Sequence, residues 1–294
     1  MKNDKLPLII LTFITIFIFK NNQLIHDAII NAGNLFIFKI FPSLFPMMII
    51  SDLLIYFKLP ELMCRYLGKF FQKIFYVNPY GLFAFFISSF SGSPTNAYTV
   101  KNLTEQGYLN KDEASHILGF SFFNNPLFLN NMLLLIFPNN YLVVLKLILL
   151  PYLVNLFIAF LFRKKIENNL FKINNYREAF GSYLANTVKK AMNTLLFILG
   201  TITIFYIINL IVNPFNVPLI TGLLEISQGL NSLIDMDFNQ KLKEILAIIF
   251  ISFGGLSIHL QIKGIISDSN ISYLKFLKYR LYQTIISVFV VLII

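Results

Sequence analysis

The chain has 294 residues, of which 56% are hydrophobic and 13% are charged, and its mean hydropathy is +0.70. This composition is typical of a polytopic membrane protein and excludes an ordinary water-soluble domain. The net charge of +10 comes from basic residues scattered between apolar segments, which indicates membrane topology and no nucleic-acid partner, and the single Cys64 excludes an internal disulfide.

The segments before residue 79 alternate between apolar and amphipathic. Leu6–Phe19 has a basic start and no small-x-small cleavage site after it, so we expect an uncleaved span within residues 1–24, with a signal peptide as the alternative. Ile25–Ile40 predicts an amphipathic interfacial helix, and Met47–Phe57 predicts a span. Lys58–Lys73 predicts a second amphipathic segment at the membrane surface.

The stretch Phe83–Tyr98 is an apolar run interrupted by small polar residues. A broken helix leaves backbone groups that hydrocarbon cannot satisfy, so it is tolerated only beside protein or a water-filled cavity. We therefore predict a re-entrant hairpin at residues 79–107 with a substrate site at its tip, where Ser93 caps the second helix and Pro94 opens it. The alternative is a Gly/Ser helix crossing whose hydroxyls bond to their own backbone.

A second interruption lies in the apolar segment Ala114–Phe137, at Asn124-Asn-Pro126. Its two Asn side chains could bind a substrate or satisfy the acceptors of the broken helix. Residues 138–178 then comprise the span Tyr141–Phe162 and a basic loop, which we expect to be cytoplasmic.

The second half begins with the amphipathic run Ala179–Asn193 and the span Thr194–Val212. Glu225 follows in an apolar, glycine-bounded segment, with Gln228 expected on the same helical face. An acidic residue in a membrane segment is a candidate for proton or cation coupling, and the alternative is an interfacial helix whose Glu225 faces water.

The last broken segment, Ile245–Ile266, is interrupted at Ser252–Gly255 and precedes a final span in Ile271–Ile294. Aligning Phe90 with Phe253 also matches three further pairs: Ala84 with Ala247, Ser89 with Ser252 and Gly92 with Gly255. We therefore predict a second hairpin at 241–268, and two inverted repeats at 25–137 and 179–294 whose hairpins enter from opposite faces. This topology places the N-terminus inside and leaves six basic residues on the outer side as exceptions, among them Lys275, Lys278 and Arg280.

Two helix N-termini that meet in a cavity would suit an anion with two carboxylates, because each exposes unpaired amide donors. The predicted substrate-binding residues, which include the expected cap Ser257, are Ser91, Gly92, Ser93, Thr95, Asn96, Asn124, Asn125, Gly254, Gly255, Ser257, His259 and Gln261. The predicted coupling residues are Glu225 and Gln228. No enzyme, cofactor or metal motif is recognisable, so we expect neither catalysis nor a cofactor.

Several motifs occur here in the same order as in a known family: Phe41-Pro-Ser-Leu-Phe-Pro46 with Ser51-Asp-Leu-Leu54, Ser91-Gly-Ser-Pro94, Asn124-Asn-Pro126, Gly222-Leu-Leu-Glu-Ile-Ser-Gln-Gly229, and Phe253-Gly-Gly-Leu-Ser257 with Gln261. On these motifs the chain resembles the YlbJ-type sporulation integral membrane proteins, the stage V family identified with dipicolinate transport into the developing spore. That family is related to the nucleoside-recognition gate domains and to concentrative nucleoside transporters. The chain departs from the family pattern at Ser93, where the family has an aromatic residue.

The resemblance implies alternating-access transport of a small dicarboxylate, dipicolinate, across a bacterial cell membrane that surrounds the forespore. Two other functions stay open at this point: a transporter of nucleoside-like molecules, and a non-transporting gate or scaffold subunit. The lipid bilayer and the small-molecule substrate are the expected partners.

Overall fold

The computed structural model describes residues 5–163 and 179–294, and every regular element within these ranges is a helix. The predicted cytoplasmic loop lies outside the described residues except for Arg163. The helices of the first half are α1 (Lys5–Lys20), α2 (Asn22–Leu35), α3 (Phe41–Tyr56), α4 (Leu59–Met63), α5 (Lys69–Phe75), α6 (Gly81–Ser91), α7 (Thr95–Glu105), α8 (Lys111–Phe120), α9 (Pro126–Ile136) and α10 (Tyr141–Leu161). Those of the second half are α11 (Phe180–Val212), α12 (Pro218–Leu224), α13 (Ile226–Ser232), α14 (Gln240–Phe253), α15 (Gly255–Ile265) and α16 (Tyr273–Ile293).

Several of these helices are long and apolar enough to cross a membrane, which confirms the predicted all-α, multi-pass membrane protein. Among the described residues there are five such segments: Asn22–Tyr56, Tyr141–Leu161, Phe180–Val212, Gln240–Ile265 and Tyr273–Ile293.

The helices α2 and α3 are joined without a break by a π-helical segment, Phe36–Ile40. The sequence predicts an interfacial helix and a separate span here, and the structure differs because the backbone hydrogen bonds continue. The N–H of Phe41 bonds to the carbonyl of Phe36, and this wider turn carries the helix past Pro42, which has no N–H to donate.

Two pairs of short helices pack against each other as hairpins. The first, α6 with α7, lies where the sequence predicts one, and the second is α12 with α13. A Cβ atom on Gly229 of α13 would lie 2.2 Å from the Cα of Gly222 on α12, so these two glycines allow the close approach.

Residues 241–268, where the sequence predicts the second hairpin, contain a broken helix instead. Gly254 and Gly255 have φ angles of 90° and 71°, which are left-handed conformations that glycine adopts without steric cost. The helices α14 and α15 meet only near this break, since α14 packs mainly on α16 and α15 mainly on α11. The chain is thus interrupted here without folding back on itself.

The same order of elements occurs in both halves of the chain: a hairpin, a broken helix and an unbroken span. In the first half these are α6 with α7, α8 with α9, and α10. In the second half they are α12 with α13, α14 with α15, and α16.

Buried ionic groups join the spans of the two halves. Lys146 of α10 pairs with the buried Glu244 of α14 at 2.6 Å. Arg280 of α16, which the sequence assigns to the outer side, is fully buried, with its guanidinium 4.3 Å from the ring centroid of Phe122 and a hydrogen bond to Asn155 Oδ1 at 3.3 Å. Because Arg280 lies inside the protein, it no longer counts as a charge on the outer surface.

Candidate functional site

The tip of the first hairpin contacts the break between α8 and α9. The backbone N–H of Ser93 donates to the carbonyl of Phe123 at 2.6 Å. A Cβ atom on Gly92 would lie 2.4 Å from the backbone nitrogen of Asn125, and Gly92 has φ 80°. Gly92 therefore provides a close backbone contact between two helix breaks, where the sequence analysis assigns it to the substrate.

The corresponding contact in the second half joins the tip of α12 and α13 to the break between α14 and α15. A Cβ atom on Gly255 would lie 3.1 Å from the backbone nitrogen of Ile226 and 3.3 Å from the Cα of Glu225. The two halves are linked by Asn124, whose Nδ2 donates to the carbonyl of Ile251 at 2.8 Å. All four helix breaks thus meet in one region.

A cavity of about 70 Å³ lies at this meeting point. Both hairpin tips and both broken helices contribute to its walls, together with α3 and α11. Its lining residues are Lys39, Ile40, Ser43, Leu44, Ser93, Pro94, Asn124, Asn125, Phe128, Ile198, Ile202, Glu225, Ile226, Ser227, Ile258 and Gln261.

Five of the predicted site residues line this cavity, namely Ser93, Asn124, Asn125, Glu225 and Gln261. Asn125 both caps a helix and bonds to the cavity wall, while substrate binding by this residue stays a prediction. Its Oδ1 caps α9 by accepting from the N–H of Leu127 at 3.0 Å, and its Nδ2 donates to Ser43 Oγ at 2.5 Å inside the cavity wall.

The remaining predicted substrate-binding residues do not line the cavity: Ser91, Gly92, Thr95, Asn96, Gly254, Gly255, Ser257 and His259. The hydroxyl of Ser91 donates to the carbonyl of Ile87 at 2.8 Å, as in the alternative of a Ser-mediated crossing. His259 contacts the carbonyl of Phe253 and the hydroxyl of Tyr273, both at 3.0 Å, which keeps it in the packing of α15.

The two predicted helix caps also differ from the structure. The helix α7 begins at Thr95, one residue after Pro94, and the Ser93 hydroxyl donates to Asn96 Oδ1 at 2.9 Å instead of accepting from the backbone. Ser257 lies inside α15, where its hydroxyl accepts from Gln261 Nε2 at 3.2 Å. The cavity therefore presents side-chain hydroxyls and amides more than helix N-termini.

Glu225 is the buried acidic residue of the cavity, with a relative exposure of 3%. It is the N-cap of α13, where its carboxylate accepts from the N–H of Gln228 at 2.9 Å and from the hydroxyl of Ser227. No basic side chain in the described part of the chain forms an ion pair with it. Gln228 does not share a helical face with Glu225, and its Oε1 accepts from Asn209 Nδ2 at 3.0 Å.

Lys39 is a cavity residue that the sequence analysis missed. It lies in the π-helical segment, a type of turn that is frequent at functional sites, and among the described residues its ammonium donates only to the sulfur of Met132 at 4.0 Å. Within residues 5–163 and 179–294, no carboxylate lies within ion-pair distance of it. The signal that could have revealed it is a lysine in the middle of a long apolar helix.

A wider space, which we call the α2 vestibule, lies at one end of the cavity. It has a volume of about 730 Å³ and adjoins the cavity, since Lys39 and Ser227 line both spaces. Its lining residues are Asn31, Asn34, Leu35, Phe38, Lys39, Met132, Tyr206, Asn209, Asn216, Thr221, Ser227, Gln228, Asn231, Ser232, Asp235 and Met236.

A second space, the α7 vestibule, lies toward the other end of α11 and has a volume of about 570 Å³. It shares no lining residue with the cavity among the described residues. At its rim Lys101 and Asp268 pair at 2.6 Å, and the hydrogen bond from Lys101 holds the pKa of Asp268 below its usual value. Its lining residues are Tyr98, Lys101, Asn102, Glu105, Lys190, Asn193, Thr194, Phe197, Gly264, Ile265, Ser267 and Asp268.

The two vestibules are reached from opposite ends of one helix. Lys190 of α11 lines the α7 vestibule and Asn209 lines the α2 vestibule. At about 1.5 Å per residue these positions are roughly 28 Å apart, which is close to the thickness of a hydrocarbon core.

Comparison with known proteins shows a distant similarity to the sporulation integral membrane protein YlbJ of Bacillus subtilis (strain 168). The two are 26% identical over 299 aligned residues, which cover 86% of this chain and 73% of that protein. No family model matches the chain, and no solved structure matches it. The chain is therefore a distant homologue of a sporulation integral membrane protein.

Proposed function

We propose that this protein transports a small dicarboxylate across a membrane by alternating access, and that the substrate is dipicolinate moved toward the forespore during sporulation. The observation that carries the proposal is the central cavity, which has a vestibule toward each end of α11 and, among the described residues, shares lining residues with only one of these two vestibules. A transporter that alternates between two sides needs such a site, with one path open and the other closed.

The repeated order of hairpin, broken helix and span supports this mechanism. In transporters built from inverted repeats, the substrate site lies near the midplane between the repeats and is formed by discontinuous helices. Here the two hairpin tips contribute Ser93 and Glu225 to one cavity, and the two broken helices contribute Asn124 and Gln261. In this proposal both hairpins are re-entrant and enter from opposite faces.

The polar groups of the cavity favour an anion. Lys39 supplies a positive charge that has no carboxylate partner in the part of the chain that the structure describes, and the amides of Asn124, Asn125 and Gln261 supply further donors. Glu225 would repel a dicarboxylate while it is ionised, so substrate binding favours its protonated form. This is how Glu225 would couple substrate binding to a proton.

The volume of the cavity implies that the substrate binds a conformation in which this cavity is larger. Its 70 Å³ is far below the roughly 300–1,000 Å³ of most small-molecule sites. We expect the hairpin tips to separate from the broken helices when the substrate binds. The name of the Bacillus homologue supports the role in sporulation, and hence a location in the mother-cell membrane around the forespore.

The test is uptake of radiolabelled dipicolinate by proteoliposomes that contain the purified chain. A charge-assisted hydrogen bond contributes about 1.5–3 kcal/mol. Lys39→Gln should therefore raise the dipicolinate concentration that gives half-maximal uptake by roughly 10- to 150-fold. Lys39→Arg keeps the charge and should retain most of the uptake, and Lys20→Gln on α1 is the control for the loss of a lysine elsewhere.

Three outcomes would contradict the proposal in different ways. If Lys39→Gln transported like the wild-type protein, the anion site would be elsewhere. Uptake of nucleosides without dipicolinate would favour the nucleoside-like alternative. If the purified chain transported neither, a gate or scaffold subunit would be the better assignment.

A further inference from the structure

Asp52 is a second buried carboxylate, which the proposed mechanism does not use. It lies in α3 with a relative exposure of 3%. Its Oδ2 accepts from the Tyr98 hydroxyl at 2.7 Å and its Oδ1 from Asn102 Nδ2 at 2.5 Å, both on α7. No basic side chain in the described ranges lies within ion-pair distance of Asp52. A buried charge held only by neutral donors in a membrane helix is costly, so a functional role is the default expectation.

Tyr98, which bonds to Asp52, lies between the α7 vestibule and the cavity. Tyr98 lines the α7 vestibule, and it also belongs to a buried apolar cluster with Leu44, Leu195, Ile198 and other residues. Leu44 and Ile198 line the cavity on the other side of this cluster. We call the cluster of Tyr98, Leu44, Met48, Leu195 and Ile198 the gate, because it separates the cavity from the α7 vestibule.

A polar stripe along α7 runs past this gate. Ser93, Asn96, Thr99 and Asn102 recur every three residues, and the last three are buried. The Ser93 hydroxyl, which lines the cavity, bonds to Asn96, and the Thr99 hydroxyl bonds to Ser51 at 3.1 Å, beside Asp52. The amide nitrogen of Asn96 is buried without a hydrogen-bond partner. Asp52 thus lies on a polar line that connects the vestibule to the cavity.

The other charged and titratable groups around Asp52 come from three helices. On α7 these are Tyr98 and Glu105, and on α11 they are Tyr183, whose hydroxyl donates to the Asp52 carbonyl at 3.0 Å, and Lys190. Lys190 and Glu105 pair with each other at 3.7 Å. On α4, Glu61 accepts from the hydroxyl of Tyr108 at 2.6 Å, and α6 has no ionisable side chain.

We propose that Asp52 is a proton-binding site whose occupancy controls opening of the gate toward the α7 vestibule. Without a proton, both carboxylate oxygens accept hydrogen bonds from α7 and hold it against α3. When a proton from vestibule water bonds to one oxygen, that oxygen becomes a donor and a much weaker acceptor, so its hydrogen bond from Tyr98 or Asn102 is weakened. The helix α7 is then released and the gate opens, and the proton returns to water when the gate closes. This inference rests on the proposed function, because a gate serves a transport path. Opening of the gate itself requires no substrate.

The test measures access to the gate directly. In the full chain with Cys64→Ser, the substitution Ile198→Cys places a thiol on the cavity side of the gate. A membrane-impermeant maleimide is applied to sealed vesicles from the α7-vestibule side over a range of pH. The labelling rate is divided by the fraction of thiol that is ionised at each pH. If one group titrates, this corrected rate should rise by about tenfold for each unit that the pH falls, as long as the pH is above the titration midpoint.

Three variants test whether Asp52, and no other group, causes the pH dependence of labelling. Asp52→Asn presents one acceptor and one donor, like the protonated acid, so its labelling should be fast and independent of pH. Tyr98→Phe removes one of the two bonds to α7, and it should label faster than the parent while keeping a pH dependence. Glu105→Gln neutralises a different carboxylate of the same vestibule and should keep the parent profile.

The proposal is overturned if Asp52→Asn keeps the parent pH dependence, if Glu105→Gln abolishes it, or if no labelling occurs from this side at any pH. If Asp52→Asn does not fold, Tyr98→Phe decides: labelling no faster than in the parent would refute the hydrogen-bonded gate. Failure of the transport proposal would appear instead as absent dipicolinate uptake with the gate response intact.

Discussion

Replacing Gly92 by alanine tests whether the central meeting point depends on close contact between helix breaks. Gly92 has φ 80° and ψ −177°, a region that is populated almost only by glycine, and an added Cβ would lie 2.4 Å from a backbone nitrogen that cannot swing away. The unfavourable backbone conformation costs about 1–3 kcal/mol. Overpacking costs a further 1–3 kcal/mol or so.

The sum predicts that Gly92→Ala lowers the free energy of unfolding by about 2–6 kcal/mol. The matched control is Gly200→Ala, because Gly200 is an exposed glycine in α11 whose added Cβ would meet no atom within 4 Å. In a helix this second change should stabilise by about 0.5–1 kcal/mol.

The measurement is the thermal loss of helical circular dichroism for the two variants and the wild-type protein in the same detergent. We expect Gly92→Ala to melt several degrees below the wild-type protein and Gly200→Ala at or slightly above it. Equal melting temperatures for the two variants would refute the reasoning, since they would show that the hairpin tip is not held against the α8–α9 break.

Three other predictions concern contacts made by α12, α13 and α14. Glu225→Ala should destabilise by about 1 kcal/mol more than Glu225→Gln, because only the amide can still cap α13; equal melting temperatures would argue against the cap. Lys146→Met should cost about 3–5 kcal/mol by leaving the buried Glu244 without its partner, and adding Glu244→Leu should recover most of the loss in the same thermal assay. Gly229→Ala should cost at least about 1–3 kcal/mol by separating α12 from α13, whereas Gly33→Ala, where an added Cβ meets nothing, should not destabilise.

The class of fold could be predicted from the sequence, because apolar length is a local signal. The interrupted apolar run located the packed pair α6 and α7, and the re-entrant course of this pair stays a prediction. The second hairpin was assigned to the wrong glycine pair. Gly254 and Gly255 resemble the first break in composition, but glycine permits either a reversal or a simple interruption of a helix, and only packing decides between them. The short helices that do pack together in the second half are α12 and α13, which meet at Glu225, a residue singled out in the sequence for its charge and not for its turn.

The candidate site was predictable only in part for a related reason. Asn124, Asn125 and Glu225 reach the cavity because they lie at or beside helix breaks, which sequence can locate. Gln261 reaches it from inside α15. Lys39 reaches it because of the π-helical turn, and no local residue preference identifies such a turn. Which polar residues near a break face the cavity and which face the protein depends on how four distant segments meet.

The π-helical segment is where the α2–α3 helix can lose a residue and still keep its register. A π turn holds one residue more than an α turn, so deleting a single residue from Phe36–Ile40 would let the backbone return to regular α-helical hydrogen bonding with the flanking turns in nearly the same orientation. A deletion in the α-helical turns on either side would instead rotate everything before it by about 100° relative to everything after it. Asn31 and Asn34 would then leave the α2 vestibule while Ser43 kept its place in the cavity. Homologous chains that use the same path should therefore differ in length at this segment more readily than elsewhere in the helix.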